Sequence, residues 1–226
     1  MEWQLLSPLS ADDRAEVLAA AGSRRFAKGE VVFHEGDPGE SLHLVRSGRL
    51  AVRVSTPGGD TATLSVLSPG EAFGELALLR ESHERTATVV ALEPAETVSL
   101  RRADFEALRR RNPGVEQLLI QILAKRVDDL SQSLLEALYV GVDRRVVRRL
   151  VDLADIYGTD SSSVTIPITQ DDLAGMAGTT RPTVNQILQR LSASGVLVLG
   201  RGRIELRDVA ALRRRTGRPA AQERLS

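Results

Sequence analysis

The sequence predicts an α+β chain with an N-terminal antiparallel β-roll, a long helix and a C-terminal winged helix-turn-helix. Short apolar or alternating segments separated by glycine-bearing turns fill residues 24–100, which is typical of an antiparallel roll. A helical repeat then runs from about Val115 to Val140, and a helix-turn-helix pattern with two short strands follows it. We assign residues 1–114, 115–140 and 141–226 to these three parts.

The elements follow in order along the chain. A helix over residues 9–21 is capped by Ser10, with Asp13 three positions later. A further helix begins at Ala103 and is interrupted at Asn112-Pro113. The predicted strands between them are Val31–Phe33, Leu42–Val45, Arg49–Val54, Thr61–Leu67, Ala87–Leu92 and Glu96–Leu100.

The composition argues against secretion and against a membrane span. The 226 residues include no cysteine, so disulfides and thiolate metal sites are excluded. No run of 18 apolar residues occurs, and the N-terminal segment lacks the basic and apolar regions of a signal peptide. We expect a cytoplasmic protein with no membrane partner and no metal.

Charge is unevenly distributed along a chain whose formal net charge is zero. Residues 141–226 hold 14 arginines and 9 acidic residues, a net charge of +5. The remaining residues hold 16 basic and 21 acidic residues, a net charge of −5. An acidic ligand domain joined to a basic domain fits a protein that binds nucleic acid.

The long helix carries an apolar repeat with alternating steps of three and four, as in a coiled coil. Its members are Ile120, Leu123, Val127, Leu130, Leu134 and Ala137. The helix could lie on its own domain, but its length exceeds what a small roll needs, so we predict a homodimer seam. Gly141 then breaks the helix, and we predict a hinge there, with Asp143 capping a helix over 144–157.

Two neighbouring segments, Gly70–Leu79 and Glu84–Ala87, have the residue types of an anion site. Gly74 permits close approach of a ligand, and a short helix over Glu75–Leu79 offers free N–H groups to a phosphate. Arg85 adds a planar charged fork and Thr86 a hydroxyl. Glu75 would repel a phosphate but suits a ribose hydroxyl, so the segments together indicate a cyclic nucleotide. A plain glycine turn with a solvated ion pair is the alternative.

The second motif spans Thr169–Leu191 and predicts a helix-turn-helix. Thr169 and Asp172 form a capping box, Gly178 ends the first helix and Thr180 caps the second, where Pro182 is tolerated in the first turn. The inward residues are Val184, Ile187, Leu188 and Leu191, and the outward residues are Arg181, Pro182, Asn185, Gln186 and Gln189. We predict a wing of two strands, Val196–Leu199 and Arg203–Leu206, and disorder after Arg215.

The letters FGELALL followed by ERTA resemble the phosphate-binding cassette of cyclic-nucleotide-binding domains, and more narrowly that of the Crp/Fnr family of bacterial transcription regulators. The resemblance covers nearly the whole chain. It implies a backbone amide from Gly74, a ribose contact from Glu75, an apolar wall from Leu76, and a phosphate held by Arg85 and Thr86; we add Ala77 to this site. It also implies a homodimer, an operator in double-stranded DNA and RNA polymerase as a partner.

The resemblance also bears on the base of the nucleotide. In cyclic-AMP receptors two adjacent hydroxyl residues on the long helix meet the adenine, and the matching pair here is Leu130-Ser131. The first hydroxyl is therefore missing. We predict cAMP with weakened base discrimination, and cGMP is the alternative because Thr86 suits either nucleotide.

For DNA, the predicted contacts are Thr169, Thr180, Arg181, Thr183, Asn185, Gln186, Arg201 and Arg203. The family's Arg-Glu pair and second Arg, which read a TGTGA-type half-site, correspond to Arg181, Pro182 and Gln186. Because only the first is kept, we predict one firm G·C pair per half-site with relaxed or A·T-leaning neighbours.

Two other functions are compatible with parts of the sequence. A nucleotide hydrolase needs a metal cluster or an acid/base pair, and the cassette offers only Glu75 and, in the nearby loop, His83. We therefore predict that the protein is not an enzyme. The other alternative keeps DNA binding but makes the sensor pocket vestigial or fitted to a different effector.

Overall fold

The computed structural model describes residues 3–55, 58–59, 61–158 and 163–216. The chain divides into two compact units, Met1–Ser131 and Gln132–Ser226. The turn at residues 57–60 and the loop at 158–163 were predicted from sequence and lie partly outside the described residues. The disorder predicted after Arg215 lies outside them except at Thr216, which is buried at the end of a helix. In the described ranges, no helix is long and apolar enough to cross a membrane.

The first unit contains the predicted antiparallel roll. After a 3-10 turn, Gln4–Leu6, helix α1 spans Ala11–Ala20, and its N-cap Ser10 accepts a hydrogen bond from the Asp13 amide as predicted. Two four-stranded sheets follow, with strand orders β1-β8-β3-β6 and β2-β7-β4-β5. The strands are β1 Gly22–Phe26, β2 Val31–Phe33, β3 Ser41–Ser47, β4 Leu50–Ser55, β5 Thr61–Leu67, β6 Ala72–Phe73, β7 Thr88–Ala91 and β8 Ala95–Arg101. Helix α2, Glu75–Leu79, lies between β6 and β7.

Alternation along β3 separates two apolar clusters. Leu42 and Leu44 point into a cluster with Val98 and Phe105 that is covered by helices, whereas Val45 joins Phe73 and others in the cluster between the sheets. Successive side chains of a strand point to opposite faces. Ser41 and His43 therefore share the face of Val45, which is the face that the cassette adjoins.

Helix α3 spans Arg102–Arg111 and helix α4 spans Pro113–Tyr139. Pro113 opens α4 because proline is tolerated at the first helical position. Leu123, one member of the predicted seam, packs against the core of the first unit. The large apolar side chains of α4 that lie exposed in the single chain are Ile120, Val127, Leu130, Leu134, Leu135, Leu138 and Tyr139.

The second unit contains the predicted winged helix-turn-helix. Its elements after α4 are α5 Val142–Tyr157, β9 Val164–Ile166, α6 Gln170–Ala177, α7 Arg181–Ala193, β10 Leu197–Gly200, β11 Arg203–Leu206 and α8 Val209–Thr216. The run Val164–Ile168 predicts a short strand, and the structure pairs this strand, β9, with β11, so the predicted two-stranded wing becomes a sheet of order β10-β11-β9. Helix α8 was not predicted. Helix α8 packs against α5, and this packing buries Leu212.

The start of α5 corrects one prediction. Gly141 is the N-cap, and Asp143 lies inside the first turn, where its carboxylate accepts a hydrogen bond from Arg190 at 2.8 Å. Asp143 is therefore not the cap. Gly141 has a non-helical ψ of 146° and no side chain that could form a capping hydrogen bond. The chain therefore leaves α4 and begins α5 without a side-chain cap.

A buried ion pair joins the end of α4 to α5. Glu136 is 2% exposed, and its two carboxylate oxygens accept hydrogen bonds from Arg148 at 2.9 Å and Arg149 at 2.6 Å. Arg149 also donates to Asp152 at 2.8 Å. Attraction to the two guanidinium groups offsets the free-energy cost of removing this carboxylate from water. The last two turns of α4 are thereby fastened to the second unit.

Candidate nucleotide site and nucleic-acid interface

Gly74 marks the start of the cassette helix α2. It has a φ of 83°, in the left-handed region that favours glycine. A Cβ placed there would lie 2.5 Å from Nη1 of Arg85 and 3.2 Å from the carbonyl oxygen of Ser41. The sequence suggested that Gly74 admits a ligand. In the structure the close neighbour is the guanidinium of Arg85, so glycine is needed to seat the arginine.

Arg85 is 5% exposed and is held on three sides. Nη1 donates to the carbonyl oxygen of Gly74 at 3.0 Å, and Nη2 donates to Oγ of Ser41 at 3.1 Å. The guanidinium carbon lies 4.1 Å from the centre of the Phe33 ring, a cation–π contact. Burial lowers the pKa of Arg85, and the neighbouring Glu75 carboxylate opposes this. The Nε–H of Arg85 is buried and finds no partner among the described residues.

The loop that carries Arg85 is braced against the segment before β3. Arg85 exchanges backbone hydrogen bonds with this segment: its amide donates to Asp37 at 2.8 Å, and its carbonyl accepts from Gly36 at 2.9 Å. Arg102 donates to the carbonyl of Gly39 at 2.7 Å and lies 2.8 Å from Nδ1 of His83. His83, which the sequence placed in this loop, is thus bound to the frame of the loop.

Glu75 is 1% exposed at the first position of α2. Its Oε1 pairs with Nη1 of Arg126 on α4, and Nη2 of Arg126 donates to the carbonyl of Ala72 at 2.9 Å. Burial raises the pKa of Glu75, and the charge of Arg126 is the main opposing influence. The second carboxylate oxygen, Oε2, is buried and has no partner among the described residues.

Among the residues that the structure describes, the others predicted for the nucleotide site form no side-chain hydrogen bond with Glu75 or Arg85. Ala77 is buried, and Leu76 and Thr86 are half-buried beside the paired groups. Leu130 and Ser131 are exposed on α4, and the Ser131 hydroxyl donates to the carbonyl of Val127 one turn earlier, at 2.8 Å. The structure therefore brings Gly74, Glu75 and Arg85 together.

The cassette contains two unpaired polar atoms of opposite kind. Nε of Arg85 is a charged donor, and Oε2 of Glu75 is an acceptor on a carboxyl group. A buried polar atom without a partner is costly, and such atoms are rare in folded proteins. A ligand that offers both an anionic oxygen and a hydroxyl group would satisfy both atoms, and a phosphate joined to a ribose is such a ligand.

Sequence reasoning missed Arg126, Ser41 and His43. Arg126 lies on a helix that sequence assigned to dimer formation, and it is 51 positions from Glu75, so no local pattern joins them. The available signal was the conflict at Glu75 itself, because a buried carboxylate needs a cation. Ser41 and His43 could have been found by alternation, since two polar residues on the buried face of an apolar strand require partners.

The predicted DNA-binding face lies on the N-terminal half of α7. The predicted inward residues of this helix are buried, and the predicted outward ones are exposed, as expected. Arg181 has 66% of its side chain exposed, and its guanidinium lies 3.8 Å from the Asp171 carboxylate. Gln170 donates weakly to Oδ1 of Asn185 at 3.4 Å. Gln186, Arg201 and Arg203 are exposed.

The caps of this motif agree with the sequence except at Thr180. The predicted capping box of Thr169 and Asp172 is present, and Gly178 ends α6 with a φ of 59°. Thr180 occupies the N-cap position of α7, but its hydroxyl lies 3.0 Å from the hydroxyl of Thr183 and makes no capping bond to the backbone. The two hydroxyls together form a small polar group at the helix start.

Arg145 holds the turn of the helix-turn-helix and was not singled out from sequence. Its Nε donates to the carbonyl of Ala177 at 2.9 Å and Nη2 to that of Gly178 at 3.1 Å, the last carbonyls of α6. Nη1 donates to the carbonyl of Val140 at 2.8 Å. A single side chain thus satisfies backbone acceptors at two helix ends.

Comparison with known proteins agrees with both halves. Residues 23–112 match the cyclic nucleotide-binding domain family, and residues 144–215 match the Crp-like helix-turn-helix domain family. The chain is 37% identical over 189 residues to the cyclic AMP receptor protein of Thermus thermophilus, covering 84% of this chain and 85% of that protein. It is 28% identical over 193 residues to a CRP-like cAMP-activated global transcriptional regulator of Mycobacterium tuberculosis, covering 84% and 86%.

A solved structure extends the likeness to the fold. The c-di-GMP responsive global regulator CLP of Xanthomonas campestris has a TM-score of 0.76 and 23% identity, covering 87% of this chain and 99% of that one. A cyclic-nucleotide-binding domain joined to a winged helix-turn-helix defines a ligand-sensing DNA-binding protein. Within that class, the chain belongs to the Crp/Fnr family of transcription regulators.

Proposed function

We propose that this protein is a homodimeric transcription regulator whose binding to operator DNA is controlled by a cyclic nucleotide, and that the nucleotide is cAMP. The observation that carries the proposal is the pair of unpaired buried atoms, Nε of Arg85 and Oε2 of Glu75. Catalysis is no part of the proposed function, because the curated relatives of the family are transcription regulators. As a regulator of operator DNA it would work in the cytoplasm, alongside RNA polymerase.

The nucleotide would be held through its ribose and its phosphate. Glu75 accepts a hydrogen bond from the ribose 2′-hydroxyl through Oε2, while Arg126 keeps the charge of Oε1 balanced. Arg85 donates from Nε and from its remaining Nη hydrogens to the phosphate, with a further hydrogen bond from Thr86. Leu76 and Ala77 complete the wall beside them.

The choice of cAMP rests on the family resemblance and on the relatives. The relatives from T. thermophilus and M. tuberculosis are named for cAMP, whereas the CLP structure is titled for c-di-GMP. Leu130 replaces the first of the two hydroxyl residues that meet adenine in the family, and Ser131 keeps the second. We therefore expect cAMP to bind more tightly than cGMP by a narrow margin.

The dimer is supported by the apolar side chains that α4 leaves exposed. Ile120, Val127 and Leu134 are each 61% exposed in the single chain and lie on the predicted seam. A second copy of α4 would bury them, which gives a two-fold symmetric protein and a two-fold symmetric operator. Binding of nucleotide and DNA would be coupled reciprocally, so each tightens the other by the same factor.

The half-site follows from the exposed face of α7. Arg181 donates to O6 and N7 of a guanine, whereas Pro182 offers no hydrogen-bonding group. Asn185 and Gln186 suit an adenine. The phosphate contacts are assigned to Thr169, Thr180, Thr183 and, on the wing, Arg201 and Arg203, and these set position without reading sequence.

The test is a calorimetric titration of the full chain with cAMP, cGMP and c-di-GMP. We expect cAMP to bind, and Arg85→Ala to weaken it by at least tenfold, because a hydrogen bond to a charged group contributes about 1.5–3 kcal/mol. Arg80→Ala is the matched control, since Arg80 is exposed at the end of α2. Tighter binding of cGMP or c-di-GMP would overturn the assigned effector, and no binding of any would favour a vestigial pocket. Turnover of the nucleotide would favour the alternative that the protein is a nucleotide hydrolase.

A further inference from the structure

A row of polar side chains lies behind Arg85, inside the roll. Oγ of Ser41 lies 3.1 Å from Nη2 of Arg85 and 3.1 Å from Nε2 of His43. Nδ1 of His43 lies 3.2 Å from Oγ1 of Thr97 on the neighbouring strand β8. Four side chains therefore form one continuous hydrogen-bonded row that begins at the guanidinium.

Chemistry fixes the direction of the first hydrogen bond in this row, and the directions of the other two depend on the tautomer of His43. Arginine can only donate, so Oγ of Ser41 accepts from Nη2. Because Oγ of Ser41 has a second lone pair, either tautomer of His43 fits these distances; we assign the tautomer in which the Ser41 hydroxyl donates to an unprotonated Nε2. In this tautomer Nδ1 of His43 carries the ring proton and donates it to Oγ1 of Thr97. Every bond points away from Arg85.

The row is buried and rigidly packed. His43 is 1% exposed and stacks on the Phe73 ring, with 5.1 Å between the ring centres. Burial and, next, the charge of Arg85 lower the pKa of His43 to about 3, so the ring is neutral at physiological pH. A neutral ring keeps one acceptor nitrogen for the Ser41 hydroxyl, whereas a protonated ring would have none.

We propose that Ser41 and His43 are positioning residues for the phosphate-binding guanidinium of Arg85, acting as a directed row that ends on Thr97. The proposal rests on the nucleotide-binding function proposed above. A hydroxyl that donates becomes a better acceptor, so His43 strengthens the bond from Ser41 to Arg85. With Nη1 held by Gly74 and Nη2 by Ser41, the planar group cannot rotate, and its unpaired Nε–H keeps a fixed direction.

The first test measures cAMP affinity of full-length variants. We expect Ser41→Ala to weaken binding about tenfold, as for one charge-assisted hydrogen bond. Ser41→Thr keeps the hydroxyl and should stay within about threefold, and His43→Phe keeps the stacked ring but should weaken binding several-fold. In the Arg85→Lys background, where the fork is gone, Ser41→Ala should cost less than about twofold. Equal losses in both backgrounds, or a loss with Thr equal to that with Ala, would overturn the proposal.

The second test needs no nucleotide. In protein with ¹⁵N-labelled arginine and histidine, NMR should show slowly rotating Nη protons for Arg85 that average in Ser41→Ala, and a proton on Nδ1 of His43. Freely averaging Arg85 signals in the unaltered protein, or a proton on Nε2 of His43, would overturn the row even if cAMP binds. If cAMP fails to bind while these NMR signals are found, the proposed function falls and the row stands.

Discussion

The two halves of the chain use buried charge in opposite ways. In the sensor, the buried ions Glu75 and Arg85 are themselves the candidate site, and each keeps one polar atom unpaired. In the DNA-binding unit, both oxygens of the buried Glu136 carboxylate are paired, although Nε of its partner Arg148 finds no partner among the described residues, and Arg181, which is assigned to DNA, is 66% exposed. A pocket for a small ligand needs charged groups that are buried and already oriented, whereas a surface that contacts DNA can leave its charged groups hydrated until DNA binds.

This contrast implies that stability and binding should respond differently to substitution in the two halves. Removing a buried carboxylate with both oxygens paired should lower stability, and removing the charge of one that keeps an unpaired oxygen should lower ligand binding rather than stability. The single tryptophan, Trp3, is buried in the first unit, so its fluorescence reports on that unit. Amide hydrogen exchange reports on the stability of the second unit. The four expectations below run from the largest change in the free energy of unfolding to the smallest.

Glu136→Ala should produce the largest loss of stability. It leaves the partly buried Arg148 without a carboxylate and Arg149 with Asp152 alone, and breaking a buried pair costs about 3–5 kcal/mol. Hydrogen exchange of α5 amides should accelerate accordingly. Glu205→Ala is the control in the same unit, because its pair with Arg207 is exposed and should matter by less than about 1 kcal/mol. Similar exchange rates in the two variants would refute the structural role of Glu136.

His43 should make the first unit lose stability in mild acid. Its pKa is lowered from 6.5 to about 3, mainly by burial and then by the charges of Arg85 and Arg24. The unfolded chain takes up a proton below pH 6.5 and the folded chain does not until about pH 3, so the stabilisation is complete above pH 6.5 and is lost as pH falls. The slope is about 1.4 kcal/mol per pH unit, or about 2 kcal/mol between pH 7 and 5.

Urea unfolding followed by Trp3 fluorescence measures this slope. His43→Phe keeps an aromatic ring against Phe73 and removes the titrating group, so the slope between pH 7 and 5 should become much flatter. A slope that is the same with and without the histidine would mean that another group titrates there.

Glu75→Gln should raise the stability of the first unit while lowering its affinity for nucleotide. Burial raises the pKa of Glu75, so the stability this carboxyl contributes is present below its ordinary pKa of 4.5 and is lost as pH rises above it. At pH 7 an uncharged amide of the same shape should therefore raise the free energy of unfolding, because Arg126 is 35% exposed and can be hydrated without the charge of its partner. Nucleotide affinity should fall about tenfold, because a charged acceptor is lost. Glu81→Gln, at an exposed position, should change neither quantity.

Arg181→Ala should leave stability unchanged within about 0.5 kcal/mol, because the residue is exposed and only loosely paired with Asp171. Its effect should appear in DNA selection, where the firm G·C pair of each half-site loses about 1–3 kcal/mol of preference. Arg190→Ala is the matched control on the same helix, away from the recognition residues. Recovery of an unaltered TGTGA site with Arg181→Ala would show that this arginine does not read the base.

Most of the fold could be predicted because its signals are local. Alternating strands, glycine turns and the capping box of Thr169 with Asp172 each need only a few neighbouring residues. Strand β1 was missed because it pairs on one side only, with β8, and four of its five residues, Gly22–Arg25, are exposed. A strand of that kind carries no apolar pattern. Helix α8 was missed for a related reason, since three of its eight residues are consecutive arginines.

The site could be predicted less completely. Gly74, Glu75 and Arg85 follow from residue type and spacing, because the chemistry of phosphate and ribose demands them. The groups that hold those residues do not follow from the sequence: Arg126 on α4 lies 51 positions from Glu75, and Ser41 on β3, with His43 behind it, lies 44 positions from Arg85. Only the fold brings them there, and a single sequence shows no coupling over such distances.

Helix α4 belongs to both units without interruption, and this sets how the chain can be divided. Residues from Gln132 onward count with the DNA-binding unit, and Glu136 lies among them. A gene fragment that began at Gly141, the evident break between helices, would encode α5 with Arg148 and Arg149 deprived of their carboxylate. The portable module therefore starts within α4, before Glu136. Any recombination that exchanges sensors among such regulators therefore has to join two sequences inside a helix. The number of residues at the junction must keep the following side chains on the same face of that helix.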